Sequence, residues 1–386
     1  MRYLSASSIS TDAYLAGVEI GESLAPIRPE VVLVFASLSY GVDLPELFRG
    51  LRDAVGRPEL LIFGGTGDGV YETQSAAHYA VAALGIDSAG AIHWESSVEP
   101  GVGADSAGAT RRCATRALEA LGGPPDFCFV LADGTTADGT QVVAGISSVV
   151  SGPVFGGLAG DDRRFHSARV FQGERDHVDS VAVLLGRGPL PWAVSAASGW
   201  QPVGVAGRVE AVDGCEIHRI GSQSAGAFVT DQVGKPLGQI DLGIIPLAAY
   251  PSGLEGAHFL RSPSRMDEDG SLTTFGSIPK GTLVRACTAT REDVLRGVSL
   301  AVRALREGRL GFEPKAALVV SCAGRKWLLE DRGEREISAL FEALGAKIPM
   351  VGFPSFGEIS PLRTPAGTYS EPYFHNVTFG LALLGE

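Results

Sequence analysis

Lysine is scarce in this chain of 386 residues. It supplies only Lys235, Lys280, Lys315, Lys326 and Lys347 among 32 basic residues. This shortage reads as a bias of genome composition and carries no function. The five cysteines (Cys113, Cys128, Cys215, Cys287, Cys322) are odd in number and scattered, with no CxxC pair or Cys/His ligand spacing. A disulfide scaffold and a structural zinc site are thereby excluded. Basic residues are outnumbered by 44 acidic ones, giving a formal charge of −12. That balance argues against polyanionic partners, so neither nucleic acid nor an anionic membrane surface is expected. No run approaches the roughly 18 apolar residues of a membrane helix. The N-terminus lacks the basic region and apolar core of a secretory signal. The expectation is a soluble, cytoplasmic, reduced protein.

Cofactor signatures are also missing. No GxGxxG spacing opens a helix and no Walker motif occurs, so no cofactor is called for. What is abundant is glycine, at 51 residues. Glycine in such numbers marks tight turns or backbone brought close to something. Hydrophobic residues at 45% and charged residues at 20% place the chain in the globular range, with length for two or three domains.

One pattern occurs three times. An apolar strand is followed by a helix, a short return strand and a glycine-rich loop. In the first unit the strand is Val31–Phe35, the helix carries Leu44, Leu47, Phe48, Leu51 and Val55, and Leu60–Phe63 returns into Gly64-Gly65. Pro45 suits that helix's first turn. The second unit has Phe127–Leu131, a helix marked by Val142, Ile146 and Val149, then Pro153-Val154-Phe155 and the loop Gly156–Asp162. The third has Ala317–Val320, a helix with Ile337, Leu340, Phe341 and Leu344, then Ile348–Val351 and the loop Gly352–Glu358. Counted from the first glycine, the seventh position is Val70, Asp162 and Glu358, so Asp162 is expected to match Glu358. Each unit closes on another apolar strand, Tyr79–Leu84, Val181–Leu185 and Val377–Leu384, expected antiparallel to the strand before it. The fold class that follows is mixed α/β, with repeated β-α-β-β units forming packed sheets flanked by helices.

Residues 190–315 differ. The spacing predicts short strands around Trp192–Val205, Arg208–Val212 and Cys215–Ile220. A helix is predicted to open at Ser224, and a β-meander runs from Gly243 to Gly281, with a hairpin turn at Met266–Ser271. A helix is predicted over Glu292–Glu307. Arg187–Pro191 reads as a linker, dividing the chain into 1–190 and 191–386.

Several of these motifs resemble a known family. Ser321–Arg325, Val351-Gly352-Phe353, Gly357-Glu358-Ile359 and Phe374-His375-Asn376 are similar to the C-terminal FIST domain. Phe155–Asp162, then Phe165 and Val181–Leu185, are similar to the end of the N-terminal FIST domain. The first unit departs from the family, since Gly64–Val70 lacks the Gly-Glu pair typical there. The resemblance implies a bacterial sensory module that binds a small, amino-acid-like ligand without turnover. As a stand-alone member it would pass its output to a signalling partner.

The expected ligand site combines the loops with the family motifs: Gly352, Phe353, Ser355, Gly357, Glu358, Gly156, Gly157, Asp161 and Asp162, with Cys322, Arg325, His375 and Asn376. Gly352 and Gly357 would let backbone amides approach a ligand, and Glu358 would accept from an ammonium group. Arg325 suits a ligand carboxylate, against the plainer reading of a surface charge paired with Glu330 or Asp331. Cys322 is read as a buried small residue, a redox-sensitive thiol, or a nucleophile with His375 as base and Glu358 orienting it. The last makes a hydrolase or transferase the alternative function. Asp161-Asp162 does not make a metal site, because too few further ligands accompany it and Arg163-Arg164 suggest local pairing.

Overall fold

The first strands of the three units, Val31–Ser37, Phe127–Asp133 and Ala316–Cys322, are buried at every position. Continuous apolar runs of this kind belong to strands covered on both faces. The computed structural model of the chain, which describes residues 1–238, 241–252, 257–308, 310–330, 332–363 and 368–386, shows how both faces are covered. Alternate residues point to opposite faces. Val31, Leu33 and Phe35 enter one core together with Phe127, Phe129, Leu131, Leu318 and Val320. Val32, Val34 and Ala36 face the first unit's own helices, Ala13–Leu24 and Leu44–Val55.

Three six-stranded sheets surround that shared core, each with helices on its outer face. The core is held by aromatic contacts between sheets. Phe35 stacks on Phe353 at 4.5 Å and meets Phe129 edge-on at 6.4 Å. The mixed α/β architecture of repeated units is therefore present, and the predicted helices at 44–55, 292–307 and 337–344 occur at Leu44–Val55, Arg291–Glu307 and Glu334–Leu344. The second unit's helix, Gly139–Ser147, stops short of Val149.

Each return strand (Leu61–Gly67, Phe155–Ala159, Met350–Ser355) lies parallel to its first strand, as a helical crossover requires. The closing strands Val81–Asp87, Ser180–Arg187 and Phe379–Leu384 are antiparallel, but they pair with the first strand and not with the strand before them. The reason is an exchange of hairpins. Val70–Glu72 with Ser75–Ala77 leaves the first unit and pairs with the third unit's return strand. Val170–Gln172 with Arg175–His177 joins the first unit, and Glu358–Arg363 with Tyr369–His375 joins the second. The three units are thus stitched into a closed ring.

The repeat is also longer than the sequence pattern suggests. Strands Arg2–Ser8, His93–Pro100 and Trp192–Ala197 each add to a closing strand. Each precedes a helix: Ala13–Leu24, Ser106–Leu121 or Arg291–Glu307. In the third unit a further body is inserted between that strand and its helix. It is a nine-stranded sheet built from Gln201 to Thr288, packed on the helix Ala225–Val233. Ser224 caps this helix, and Pro263–Met266 with Leu272–Thr274 forms the predicted hairpin around 266–271. Residues 253–256 of the predicted meander lie outside the described residues.

Strand register corrects two expectations. Gly64, Gly156 and Gly352 do occupy matched places, opposite Val34, Val130 and Val319. They lie inside strands, however, and a Cβ there would sit 1.7, 1.9 or 2.2 Å from the carbonyl oxygen of that facing residue. These glycines exist for close strand approach and not for a ligand. Glu358 pairs with Gly157, whereas its counterpart in the second unit pairs with Gly65 and is Val170. Asp162 is therefore not equivalent to Glu358, because residues 162–169 are inserted ahead of Val170.

Candidate functional site

The parallel strands of the third unit end together, with Cys322 opposite Ser355. Ligands in α/β folds collect beyond the carboxyl ends of such strands. Here a cavity of about 260 Å³ opens there, just below the roughly 300–1,000 Å³ usual for small-molecule pockets. Three parts of the chain line it. The third unit supplies Cys322, Gly324, Trp327, Ser355, Phe356 and Asn376; the inserted body supplies Leu242, Ser262, Pro263 and Phe275; the second unit supplies Arg163 and Phe165.

Of the residues expected at a site, Cys322, Ser355 and Asn376 reach this cavity. Glu358 stands one layer behind. Its carboxyl accepts from the Ser355 hydroxyl at 2.5 Å, the Thr378 hydroxyl at 2.7 Å and the Thr378 backbone N–H at 3.1 Å. Asn376 accepts from the Ser262 backbone N–H at 3.1 Å and donates to the His375 carbonyl. It thereby ties the inserted body to the third unit.

The other expected contacts are used by the fold. Arg325 is fully buried, ion-paired with Glu336 at 2.8 Å and donating to the carbonyls of Ser198 and Val294. It clamps chain to chain and has no open donor face toward the cavity. Glu330 instead pairs with Arg291, and Asp331 lies outside the described residues. Phe353 points into the central stack. Gly156 and Gly352 sit beneath strand carbonyls; a Cβ on Gly157 would meet the Gly357 carbonyl, and one on Gly357 would meet the Phe374 ring at 2.3 Å. Asp161 accepts from the backbone N–H groups of Phe165, His166 and Ser167, while Asp162 accepts from the Ser37 hydroxyl at 2.8 Å. Arg163 pairs across the ring with Asp68, at 3.0 Å.

Cys322 and His375 share no hydrogen bond among the described residues. His375 is buried and turns Nε2 to the Ser360 carbonyl at 3.0 Å. Burial and the Glu358 carboxylate push the Cys322 thiol up, away from thiolate. Burial pushes the His375 imidazole down to about 3. Both groups are held neutral, the reverse of an activated thiolate–imidazolium pair.

These burials carry a pH signature. Burial raises the Glu358 carboxyl to about 8, against hydrogen bonds from Ser355 and Thr378 that lower it. Between its ordinary 4.5 and 8 the folded carboxyl keeps a proton that the unfolded chain has lost, so stability falls as pH rises through that window. For His375 the unfolded chain gains a proton below 6.5 that the folded imidazole refuses until about 3, so stability also falls as pH drops. The two slopes oppose each other between 4.5 and 6.5, leaving Glu358 to act alone from 6.5 to 8. Glu358→Gln is expected to remove that alkaline loss. Urea midpoints at pH 6.5 and 8 check it: the wild-type midpoint should fall and the variant's should stay level. An equal fall in both would contradict the assignment.

Sequence reasoning missed Ser262, Phe275 and Trp327, which carry no motif. It read Arg163 only as a partner for adjacent acids. A signal for Arg163 and Phe165 existed in the unequal spacing from loop to hairpin, eight residues longer in the second unit, which an ungapped count conceals.

The sequence matches the FIST N domain over residues 30–223 and the FIST C domain over residues 222–361. The chain belongs to the FIST family. FIST domains are generally thought to be small-ligand-binding signalling domains. No curated protein matches the chain. Among solved structures, a cyanuric acid hydrolase from A. caulinodans is 10% identical, with a TM-score of 0.37, over 100% of this chain and 99% of that one. T. maritima PurL complexed with FGAR is 13% identical, with a TM-score of 0.22, over 99% of this chain and 72% of that one. Neither likeness is close enough to bear on the FIST site. No described helix is long and apolar enough to cross a membrane.

Proposed function

We propose that this FIST protein is a sensor that holds a small molecule in the cavity between Cys322 and Ser262, without turning it over, and passes its output to a signalling partner. One observation carries the reading. Ser262 is 2% exposed, its hydroxyl has no hydrogen-bond partner among the described residues, and it lies on the cavity wall. An unpaired buried hydroxyl costs about 1–3 kcal/mol, which a ligand atom would recover. The neutral thiol and imidazole support binding over covalent chemistry.

The family's amino-acid-like ligand needs a carboxylate partner and an ammonium partner. Arg325 is committed to Glu336, and Glu358 is screened by Ser355 and held towards its neutral form. What favours binding is instead a largely apolar lining that also carries serine hydroxyls, an amide and the Arg163 guanidinium, so the ligand is a compact molecule with an apolar body.

Ser262→Ala tests this directly. Since the hydroxyl serves no described partner, its loss is not expected to lower folding stability and should raise it by up to about 1–3 kcal/mol. The rise in melting temperature given by cavity ligands from a metabolite panel should shrink in the variant. A ligand response unchanged by Ser262→Ala would contradict the reading.

A further inference from the structure

The inserted segment of the second unit has an unusual backbone. Asp162, Arg163 and Phe165 all adopt positive φ, at 57°, 59° and 53°. Non-glycine residues rarely do so, and for a bulky aromatic residue it is an outlier. Three such residues within four positions are tolerated because Asp161 anchors the turn, its carboxylate accepting from the N–H groups of Phe165 at 2.8 Å, His166 at 2.5 Å and Ser167 at 3.0 Å. Strained backbone that the surroundings over-determine concentrates at ligand clamps. Here the strain delivers two side chains to the cavity wall. Phe165 stacks on Phe356 with centroids 4.7 Å apart and planes 18° apart, yet remains 56% exposed. Arg163 lies beside it.

The chemistry of the lining is one-sided. Arg163 is the one charged side chain on the cavity wall among the described residues, and no carboxylate lines it. Asp68, which pairs with Arg163 through Nε, also receives Lys326, with Nζ 3.7 Å from Oδ1. The Arg163 side chain keeps 29% of its surface exposed, and a guanidinium carries further N–H groups besides Nε. The apolar part of the wall is unusually aromatic, with Phe165, Phe356, Phe275 and Trp327. Aromatic rings gain from offset stacking and edge contacts with another flat ring beyond simple burial.

We propose that the ligand is a flat aromatic carboxylate, its ring among Phe165, Phe356 and Trp327, its carboxylate on the Arg163 guanidinium, and a polar ring-edge atom on the Ser262 hydroxyl. The proposal rests on the cavity being the ligand site and adds the ligand's class and the loop that selects it. A guanidinium fork is suited to a carboxylate.

Isothermal titration with three probes tests it. 2-Naphthoate has both features; cyclohexanecarboxylate keeps the charge without the flat ring; 2-naphthamide keeps the ring without the charge. The expected result is binding of 2-naphthoate, with cyclohexanecarboxylate weaker by at least about twofold and 2-naphthamide weaker by about tenfold or more, in line with the usual worth of an aromatic contact and of a charged hydrogen bond. Phe165→Ala should weaken 2-naphthoate by at least about twofold and Arg163→Gln by about tenfold or more. If Arg163→Gln fails to fold because Asp68 is left short of charge, Phe165→Ala and the naphthoate–naphthamide ratio decide alone. Equal binding of acid and amide, or of flat and puckered acids, overturns the proposal, as does failure of 2-naphthoate to bind. If 2-naphthoate fails while another compound raises the melting temperature in a Ser262-dependent way, the ligand class is wrong and the cavity reading survives. If no compound's effect depends on Ser262, both fall.

Discussion

Glu336→Ala is expected to lower folding stability by about 3–5 kcal/mol, the usual cost of stranding one member of a buried ion pair. Glu336 and Arg325 are both fully buried. Glu336 Oε1 accepts from Arg325 at 2.8 Å, while Oε2 accepts from the Tyr71 hydroxyl at 3.1 Å and the Ser321 hydroxyl at 2.9 Å. Tyr71 belongs to the first unit's exchanged hairpin and Ser321 to the third unit's first strand. Through Ser198 and Val294, Arg325 extends the network to both sides of the inserted body. Truncating Glu336 leaves a guanidinium with no counter-charge and two hydroxyls without their acceptor. Equilibrium denaturation measures the loss. Replacing both members, Arg325→Met with Glu336→Leu, should recover much of it, since no charge is then stranded. A loss under about 1 kcal/mol in Glu336→Ala would mean that the network does not hold the ring together.

Gly352→Ala is the second large effect. The new Cβ would lie 2.2 Å from the Val319 carbonyl oxygen and 2.7 Å from its Cβ. Overpacking a core usually costs about 1–3 kcal/mol, because side chains rotate away. Here the obstacle is backbone of a paired strand, so a loss at or above the top of that range is expected. Gly64→Ala and Gly156→Ala should behave alike, with contacts of 1.7 and 1.9 Å. Thermal melts of the three variants check this. Wild-type stability with altered ligand response would return these glycines to the binding site.

The ease with which the sequence yields its repeat has a simple cause. Strands buried on both faces are written as apolar runs, such as Val31–Phe35 and Phe127–Leu131, and helices as 3.6-residue periodicity, as in Leu44–Val55. The matched glycines were visible too, but their purpose was not. A glycine beneath a facing carbonyl looks identical in sequence to one facing a ligand. Hairpin exchange was hidden because pairing partners such as Gly352 and Tyr71 are far apart in the chain. Arg325 is the sharpest case. Its motif position suggested a ligand clamp, and only the fold brings Glu336 to it. The cavity itself is made where three distant segments meet, and Ser262 contributes a hydroxyl whose lack of a partner is a property of packing.

The site is tested most directly by crystallography of the compound giving the largest melting shift with wild-type protein. Its density is expected in the cavity, within hydrogen-bond reach of the Ser262 hydroxyl and beside Cys322 and Asn376. Density instead in the cleft of about 400 Å³ lined by Val302, Leu310, Phe312 and Leu344, with the Ser262 cavity unchanged, would contradict it.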